Sequence, residues 1–369
     1  MLIGLDGRPF YGPSAGTGRY VTALCLTLDK IFPDARFLVY ANRPINLPVN
    51  SSRWNQRKDH LAFALPMPSA LWYFSRTGYL ASEDKVDLFW GCANFLPPGL
   101  PASIPAVLTI YDFVFKLFPE TLNIKHRLVY YLFFNYSLKR ANRIVTISQG
   151  TANRLHELYG YTTDAIVRPA SDLLIAPLDF SHTLELLKSY RINFPYFLSV
   201  STLEPRKNLM VLIDALAQLT VENQFQTIGL VLVGQQGWRN RKLRRKVLDA
   251  QSKGLPIIQT GYVPDNDLAA LYAGALAVVM PSLYEGFGLP VQEALRYGVP
   301  VISSDIPEMR EAGGSSAIYV PPTIEGIKYG LVKIVSGIGN KQNVSVTEKE
   351  NWTWNDEGEK FAALLAHLA

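Results

Sequence analysis

Between Val278 and Gly298 the chain reads Val-Val-Met-Pro-Ser-Leu-Tyr-Glu-Gly-Phe-Gly-Leu-Pro-Val-Gln-Glu-Ala-Leu-Arg-Tyr-Gly, a run that fits a strand, a tight loop and a helix in that order. Ala275 to Met280 is a short apolar run, the pattern of a buried strand. Pro281 and Ser282 end it. Pro290 suits a first helical position, where its missing N–H costs nothing. Val291, Ala294 and Leu295 follow at helical spacing, and Gly298 suits the place just past the helix end. The N–H groups of a helix start have no intrahelical partner, and Gly286 and Gly288 let a ligand reach the backbone. That makes an anion site, most simply for phosphate. Glu285 and Glu293 bracket it; carboxylates repel phosphate but accept hydrogen bonds from sugar hydroxyls. The pattern describes a site for a sugar nucleotide.

A second stretch makes the same demand. Ser201-Thr-Leu-Glu204-Pro-Arg206-Lys207-Asn208 follows a predicted strand, Tyr196 to Val200, and precedes a helix carrying Leu209, Leu212, Ile213 and Leu216 on one face. Cations at a helix N-terminus are disfavoured by a few tenths to about 1 kcal/mol, so Arg206 and Lys207 together imply an anion to meet. Arginine grips phosphate oxygens through a fork; lysine acts as a point charge.

Glu285-Gly-Phe-Gly-Leu-Pro-x-x-Glu293 resembles the E-x7-E signature of the retaining glycosyltransferases of family four, and Glu204-x-Arg206-Lys207-Asn208 resembles that family's Glu-x-Arg-Lys-Asn motif. The resemblance covers nearly the whole chain and is strongest from Ser201 to Gly314. It implies the GT-B fold, two doubly wound Rossmann-like α/β domains facing a cleft. It implies that Arg206, Lys207 and the loop Gly286, Phe287, Gly288 and Leu289 hold the donor diphosphate. Glu285 would then take hydroxyls of the sugar and Glu293 those of the ribose.

Leu2 to Asp6 reads as the first strand, and Gly7 to Gly18 as a loop rich in Gly, Pro and Ser. Its end, Ala15-Gly16-Thr17-Gly18, opens a helix with Val21, Leu24, Leu28 and Ile31 on one face. Gly16 and Gly18 match the family loop that faces the diphosphate across the cleft, although such turns also serve packing. Further strands are Arg36 to Tyr40, Asp87 to Trp90, Ala106 to Ile110 and Arg143 to Ile147; residues 42 to 70 read as loop with short elements. Trp90 to Pro98 resembles an acceptor-side loop of bacterial polysaccharide mannosyltransferases, or is a turn packed around Trp and Phe. Many family members carry His-Asp where this chain has Tyr111-Asp112. A tyrosine hydroxyl can hydrogen-bond a sugar but lacks the charge a histidine can carry. Either Tyr111 substitutes or the role is lost; Asp112 holds the loop or meets the acceptor. Ser148 is placed to N-cap a helix running to Leu158. Lys125 to Arg143 reads as a helix, apolar in the middle and basic at both ends. It fits a surface of acidic lipids, but apolar residues nearly all round it favour packing on the sheet.

In the second half, Arg168 to Asn193 reads as the domain linker. Gly229 to Val233 is a strand closed by Gly234; Ile257 to Thr260 is another, followed by Gly261-Tyr262-Val263-Pro264, which in the family lies against the nucleotide base. Six of the eight residues Arg239 to Lys246 are basic, but no nucleic-acid fold signature accompanies them and a solvated helix face is expected. Pro300 to Asp305 is a strand, and Trp352 to Leu368 a final helix that in this fold crosses back to the first domain. The expected domains are 1–178 on the acceptor side, 179–350 for the sugar nucleotide, and 351–369 for the returning helix.

Hydrophobic content of 48% in 369 residues fits two globular domains with large cores. The start of the chain lacks a signal-peptide pattern and no apolar run approaches the roughly 20 residues that span a bilayer, so a cytoplasmic protein is expected, with peripheral membrane contact as an option. Cys25 and Cys92 read as core residues. A formal charge of +5 suits phosphate-bearing ligands. No His/Cys/Asp cluster has metal-ligand spacing, so no cofactor or metal is expected. The implied activity is retaining hexosyl transfer, with mannose from GDP-mannose the first candidate by analogy. The donor would be a nucleotide sugar and the acceptor a glycan or lipid-linked glycan, as in O-antigen lipopolysaccharide or capsule assembly. The alternatives are a UDP-sugar transferase, a sugar-nucleotide-binding protein without catalysis, and a GT-B epimerase.

Overall fold

The computed structural model describes residues 1–12, 16–59, 67–171, 179–222, 227–237, 240–337 and 352–368. The expected domain boundaries at 178 and 350 lie outside these residues, as do Ala15 of the glycine loop and Trp238 and Arg239 of the basic run. The chain forms two compact units. The first comprises Met1–Phe113, Ile124–Pro169 and Trp352–Ala369, the second Val114–Asn123 and Ala170–Asn351.

The first unit is built on seven parallel strands: β1 (Leu2–Asp6), β2 (Arg36–Tyr40), β3 (Trp54–Arg57), β4 (Leu88–Gly91), β5 (Ala106–Ile110), β6 (Arg143–Thr146) and β7 (Ala165–Ile166). Their order is β3-β2-β1-β4-β5-β6-β7. The inner strands are mainly apolar because both faces are covered; all five residues of β5 are buried. β3 went unread in the sequence because Trp-Asn-Gln-Arg carries one apolar residue; it holds the edge by stacking Trp54 on Phe37 with centroids 4.0 Å apart. Between β3 and β4 lies a helical stretch, Ser69–Trp72, Tyr73–Thr77 and Gly78–Glu83, whose middle segment is a π-turn.

The helix Ile124–Arg140 buries Phe134, Ser137 and Leu138 and leaves Ile124, Leu128, Tyr131 and Leu132 in solvent. The expectation of a helix packed on the sheet therefore holds for one face; the opposite face is open and sets these four apolar side chains among Lys125, Arg127 and Asn135. The final helix, Trp354–Ala366, starts in a capping box between Thr353 and Asp356 and packs against the helix Gly16–Ile31 of the same unit. Trp90 meets Phe361 at 4.7 Å, and the fully buried Glu357 accepts the Arg168 N–H at 2.8 Å. Both cysteines are buried.

The second unit carries six parallel strands, β8 (Tyr196–Val200), β9 (Gly229–Val233), β10 (Ile257–Gly261), β11 (Ala277–Met280), β12 (Val301–Ser304) and β13 (Ile318–Val320), ordered β10-β9-β8-β11-β12-β13. Leu209, Leu212, Ile213 and Leu216 pack one helix face into this sheet's core beside Leu230, Leu232 and Val279. Burying each such side chain stabilises the unit by about 1.5–3 kcal/mol. In each sheet the strand order reverses beside its first strand, between β1 and β4 and between β8 and β11. Loops leaving the carboxyl ends of two such strands diverge to opposite sides, and the crevice between them is where open α/β sheets bind ligands.

Candidate functional site

The loops after β8 and β11 bring together the residues that the sequence marked separately. After β8 the chain makes a 3₁₀ turn, Pro205–Lys207, and enters the helix Leu209–Val221 through Asn208 at φ 54°. Asparagine tolerates that left-handed conformation, and its amide is tied down by donating to the Pro322 carbonyl at 3.0 Å. Arg206 and Lys207 are thereby turned to the sheet edge. Arg206 donates from Nε and Nη2 to Glu204 Oε1 at 3.0 and 2.7 Å, and from Nη1 to the Tyr284 carbonyl and Glu285 Oε2, both at 2.8 Å. Lys207 Nζ reaches Glu285 Oε1 at 2.5 Å, and the Ser282 hydroxyl donates to the same oxygen at 2.7 Å.

Two cations and two carboxylates thus interlock with little solvent around them. Burial by itself would raise the Glu285 carboxyl; Lys207, Arg206 and Ser282 overcome it and bring it down to about 2. Burial and the neighbouring Arg206 lower the Lys207 ammonium, and Glu285 opposes them. A carboxylate has about four lone-pair positions. Lys207 and Ser282 occupy those of Glu285 Oε1, while Oε2 receives Arg206 and keeps room for one more donor.

The loop after β11 ends at Gly288, whose φ is 117°. A Cβ there would lie 2.6 Å from the Met309 sulfur, so the position requires glycine on two counts. The helix Leu289–Arg296 begins next, with Pro290 in its first turn but one place later than expected. Its first N–H groups have no intrahelical acceptor. Gly286 and Phe287 are buried under this turn. Tyr284 is anchored by Val114, Leu122 and a stack on Phe118, 5.9 Å between centroids, which explains why residues 114–123 belong to the second unit.

Glu293 has a partner of its own. It is 1% exposed, and the Tyr272 hydroxyl donates to its Oε2 at 2.6 Å. Tyr272 in turn stacks on Tyr297 at 5.3 Å. Gly234 ends β9 at φ 135°, where a Cβ would meet the Ser201 carbonyl at 2.0 Å, so it lets two loops touch. Tyr262 is half-exposed just past β10 and Val263 is buried.

In the first unit Gly16 opens its helix exposed and Gly18 is buried. Tyr111 is buried; its hydroxyl donates to the Cys92 carbonyl at 2.8 Å, and its ring meets Tyr20 edge-on at 5.4 Å. The one proton of that hydroxyl is spent inside the unit. Asp112 is half-buried at the end of β5. The sequence reading missed Ser282, Tyr272 and the positioning role of Glu204. The available signals were the Ser282-x-x-Glu285 and Glu204-x-Arg206 spacings. Nothing in the sequence links Tyr272 to Glu293, which are 21 residues apart. Among the described residues no group of three or more His, Cys, Asp or Glu could hold a metal ion.

Residues 187–336 match the family described as glycosyl transferases group 1. The chain is 31% identical over 341 residues to O-antigen chain mannosyltransferase B of Escherichia coli, covering 87% of each. It is also 31% identical over 245 residues to the serotype-specific mannosyltransferase WbdA of Escherichia coli, of which it spans 28%. The fold is that of Anabaena HepE, solved with UDP and glucose, with a TM-score of 0.71, 16% identity and 99% of both chains covered.

Proposed function

This chain belongs to the group 1 glycosyl transferases, enzymes of the GT-B fold, and from that premise we propose that it transfers mannose from GDP-mannose to a hydroxyl of a surface polysaccharide or its lipid-linked precursor, with retained anomeric configuration. The observation that carries this reading is the paired Arg206 and Lys207 beside the Gly288 turn. As the sugar leaves, charge grows on the diphosphate, and these cations with the N–H groups of Gly288 and Leu289 stabilise it where it develops. No metal ion is needed in this scheme. Glu285, held ionised, uses its remaining position on Oε2 for a sugar hydroxyl and faces the anomeric carbon as that carbon becomes cationic. Glu293, fixed by Tyr272, takes the ribose hydroxyls. The mannosyltransferase identity of the Escherichia coli relatives supports the choice of sugar.

The purified chain is incubated with GDP-mannose or UDP-glucose and methyl α-mannopyranoside, in Mg2+ or in EDTA, and the product's anomeric proton is read by NMR. An α-mannosyl product from GDP-mannose in both media is expected. A β-linked product, transfer only with UDP-glucose, or transfer abolished by EDTA would each overturn the corresponding part of the proposal.

The open apolar face of Ile124–Arg140, where Tyr131 is 81% exposed and Lys125 and Arg127 flank Leu128, supports peripheral attachment to an anionic membrane on its cytoplasmic side. No helix among the described residues is long and apolar enough to cross a membrane. Co-sedimentation with phosphatidylglycerol vesicles, weakened at least several-fold by Leu128→Ser with Tyr131→Ser, is the expected result; unchanged sedimentation contradicts it.

A further inference from the structure

The switch point of the first sheet, between β1 and β4, carries its own arginine. Arg8 stands two residues past the end of β1, in the 3₁₀ turn Arg8–Phe10. Its Nε donates to both oxygens of Asp6 at 3.0 Å, its Nη2 to Oδ2 at 2.6 Å, and its backbone N–H to Oδ1 at 3.0 Å. Asp6 is wholly buried. The guanidinium carbon lies 3.7 Å from the centroid of Tyr73, with Phe74 and Phe95 each at 5.6 Å. Tyr73 is itself fixed by donating to the Phe95 carbonyl at 2.9 Å. One edge and one face of the guanidinium are therefore immobilised.

The other edge is used less. The Tyr73 hydroxyl interacts with the guanidinium, but Nη1 meets no acceptor at hydrogen-bonding geometry among the described residues, and the side chain keeps 16% of its surface in solvent. Buried polar groups are nearly always paired, and a structural ion pair gains most when every donor is satisfied. Arg206 shows the satisfied version. It has the same clamp by a carboxylate two residues earlier, but its Nη1 is bonded to Tyr284 and Glu285. Arg8 is a rigid, preorganised fork left open at the place where such sheets bind ligands. Asp6 has already neutralised its charge, so a neutral ligand with two adjacent oxygens suits it better than a further anion.

We propose that the open edge of Arg8 binds two vicinal hydroxyls of the acceptor's terminal hexose. The assignment of acceptor to this site rests on the glycosyl-transfer reading above, but binding of a hexose at Arg8 needs no donor. The test is saturation-transfer NMR with methyl α-mannopyranoside and its 2-, 3- and 4-deoxy analogues, on the unchanged chain and on Arg8→Lys. Lysine keeps the charge beside Asp6 and removes the fork.

The unchanged chain is expected to bind the parent sugar and to lose about ten-fold in affinity for the analogues lacking either of two adjacent hydroxyls, the worth of one or two hydrogen bonds. Arg8→Lys is expected to bind the parent about ten-fold more weakly and to treat it and the analogues alike. No binding by the unchanged chain overturns the proposal, as does equal binding of all analogues by it. Undiminished discrimination in Arg8→Lys also overturns it. If Arg8→Lys fails to fold, the deoxy series on the unchanged chain still decides. GDP binding, measured separately, tests the donor reading and leaves this result standing either way.

Discussion

The two switch points use one device and finish it differently. At each, an arginine follows the first strand of the sheet and is clamped by a buried carboxylate two residues before it, Asp6 for Arg8 and Glu204 for Arg206. In the second unit the free edge of the arginine meets Glu285, a second cation stands beside it, and a helix start with a glycine at φ 117° lies on the adjoining loop. In the first unit the arginine's face is covered by Tyr73, and its outer Nη1 meets no acceptor at hydrogen-bonding geometry among the described residues. On the proposed reading, topology sets the place and the number of cations sets the ligand. Two cations against two carboxylates can exchange one partner for a diphosphate, whereas a neutralised arginine on an aromatic floor suits an uncharged sugar.

The largest effect that would sharpen this contrast comes from Arg206→Ala. It leaves Glu204 without its partner and removes the proposed diphosphate contact, so kcat/KM should fall by about 100- to 1000-fold. The loss of a buried ion-pair partner should also cost about 3–5 kcal/mol of stability by urea unfolding of the chain. A fall in acceptor affinity alone would erase the distinction between the two sites.

Next is Glu285→Gln, read against pH. The folded-state value of about 2 lies below the ordinary 4.5, so ionised Glu285 contributes stability that is complete above about pH 4.5 and is lost as pH falls toward 2. Urea unfolding from pH 7 to 2.5 should show the wild-type advantage over Glu285→Gln widest above 4.5 and narrowing through that window. A constant gap would mean that Glu285 is not held by charge.

Gly288→Ala should be milder. Strain at a positive φ and the clash with Met309 cost about 1–3 kcal/mol, and nucleotide affinity should weaken several-fold while hexose binding is untouched. Smallest is Tyr272→Phe, which deletes one hydrogen bond to Glu293. About 1 kcal/mol of stability, and about five-fold of the preference for GDP over 2′-deoxy-GDP by calorimetry, should go with it.

Much of this was legible before any coordinates. β1, β2 and β5 were bounded to the residue, because apolar strands between glycine, proline and polar turns have few other readings. Arg206 and Lys207 stood out because a helix start disfavours cations, and Glu285 because it borders a glycine turn before a helix; the structure brings the three side chains together. Other features were hidden for physical reasons. β3 is a polar edge strand, Tyr272 reaches Glu293 only through the fold, and the Arg8–Asp6 clamp looks like an ordinary turn until Tyr73 is placed against it. The open face of Ile124–Arg140 was hidden because a helix apolar all round does not declare which side is covered.

The most direct test of the central claim is calorimetric titration of GDP into the wild-type chain, Arg206→Ala and Arg8→Lys. Wild type and Arg8→Lys should bind with the same affinity, and Arg206→Ala should lose at least about ten-fold. Equal binding by Arg206→Ala, or a matching loss in Arg8→Lys, would contradict it.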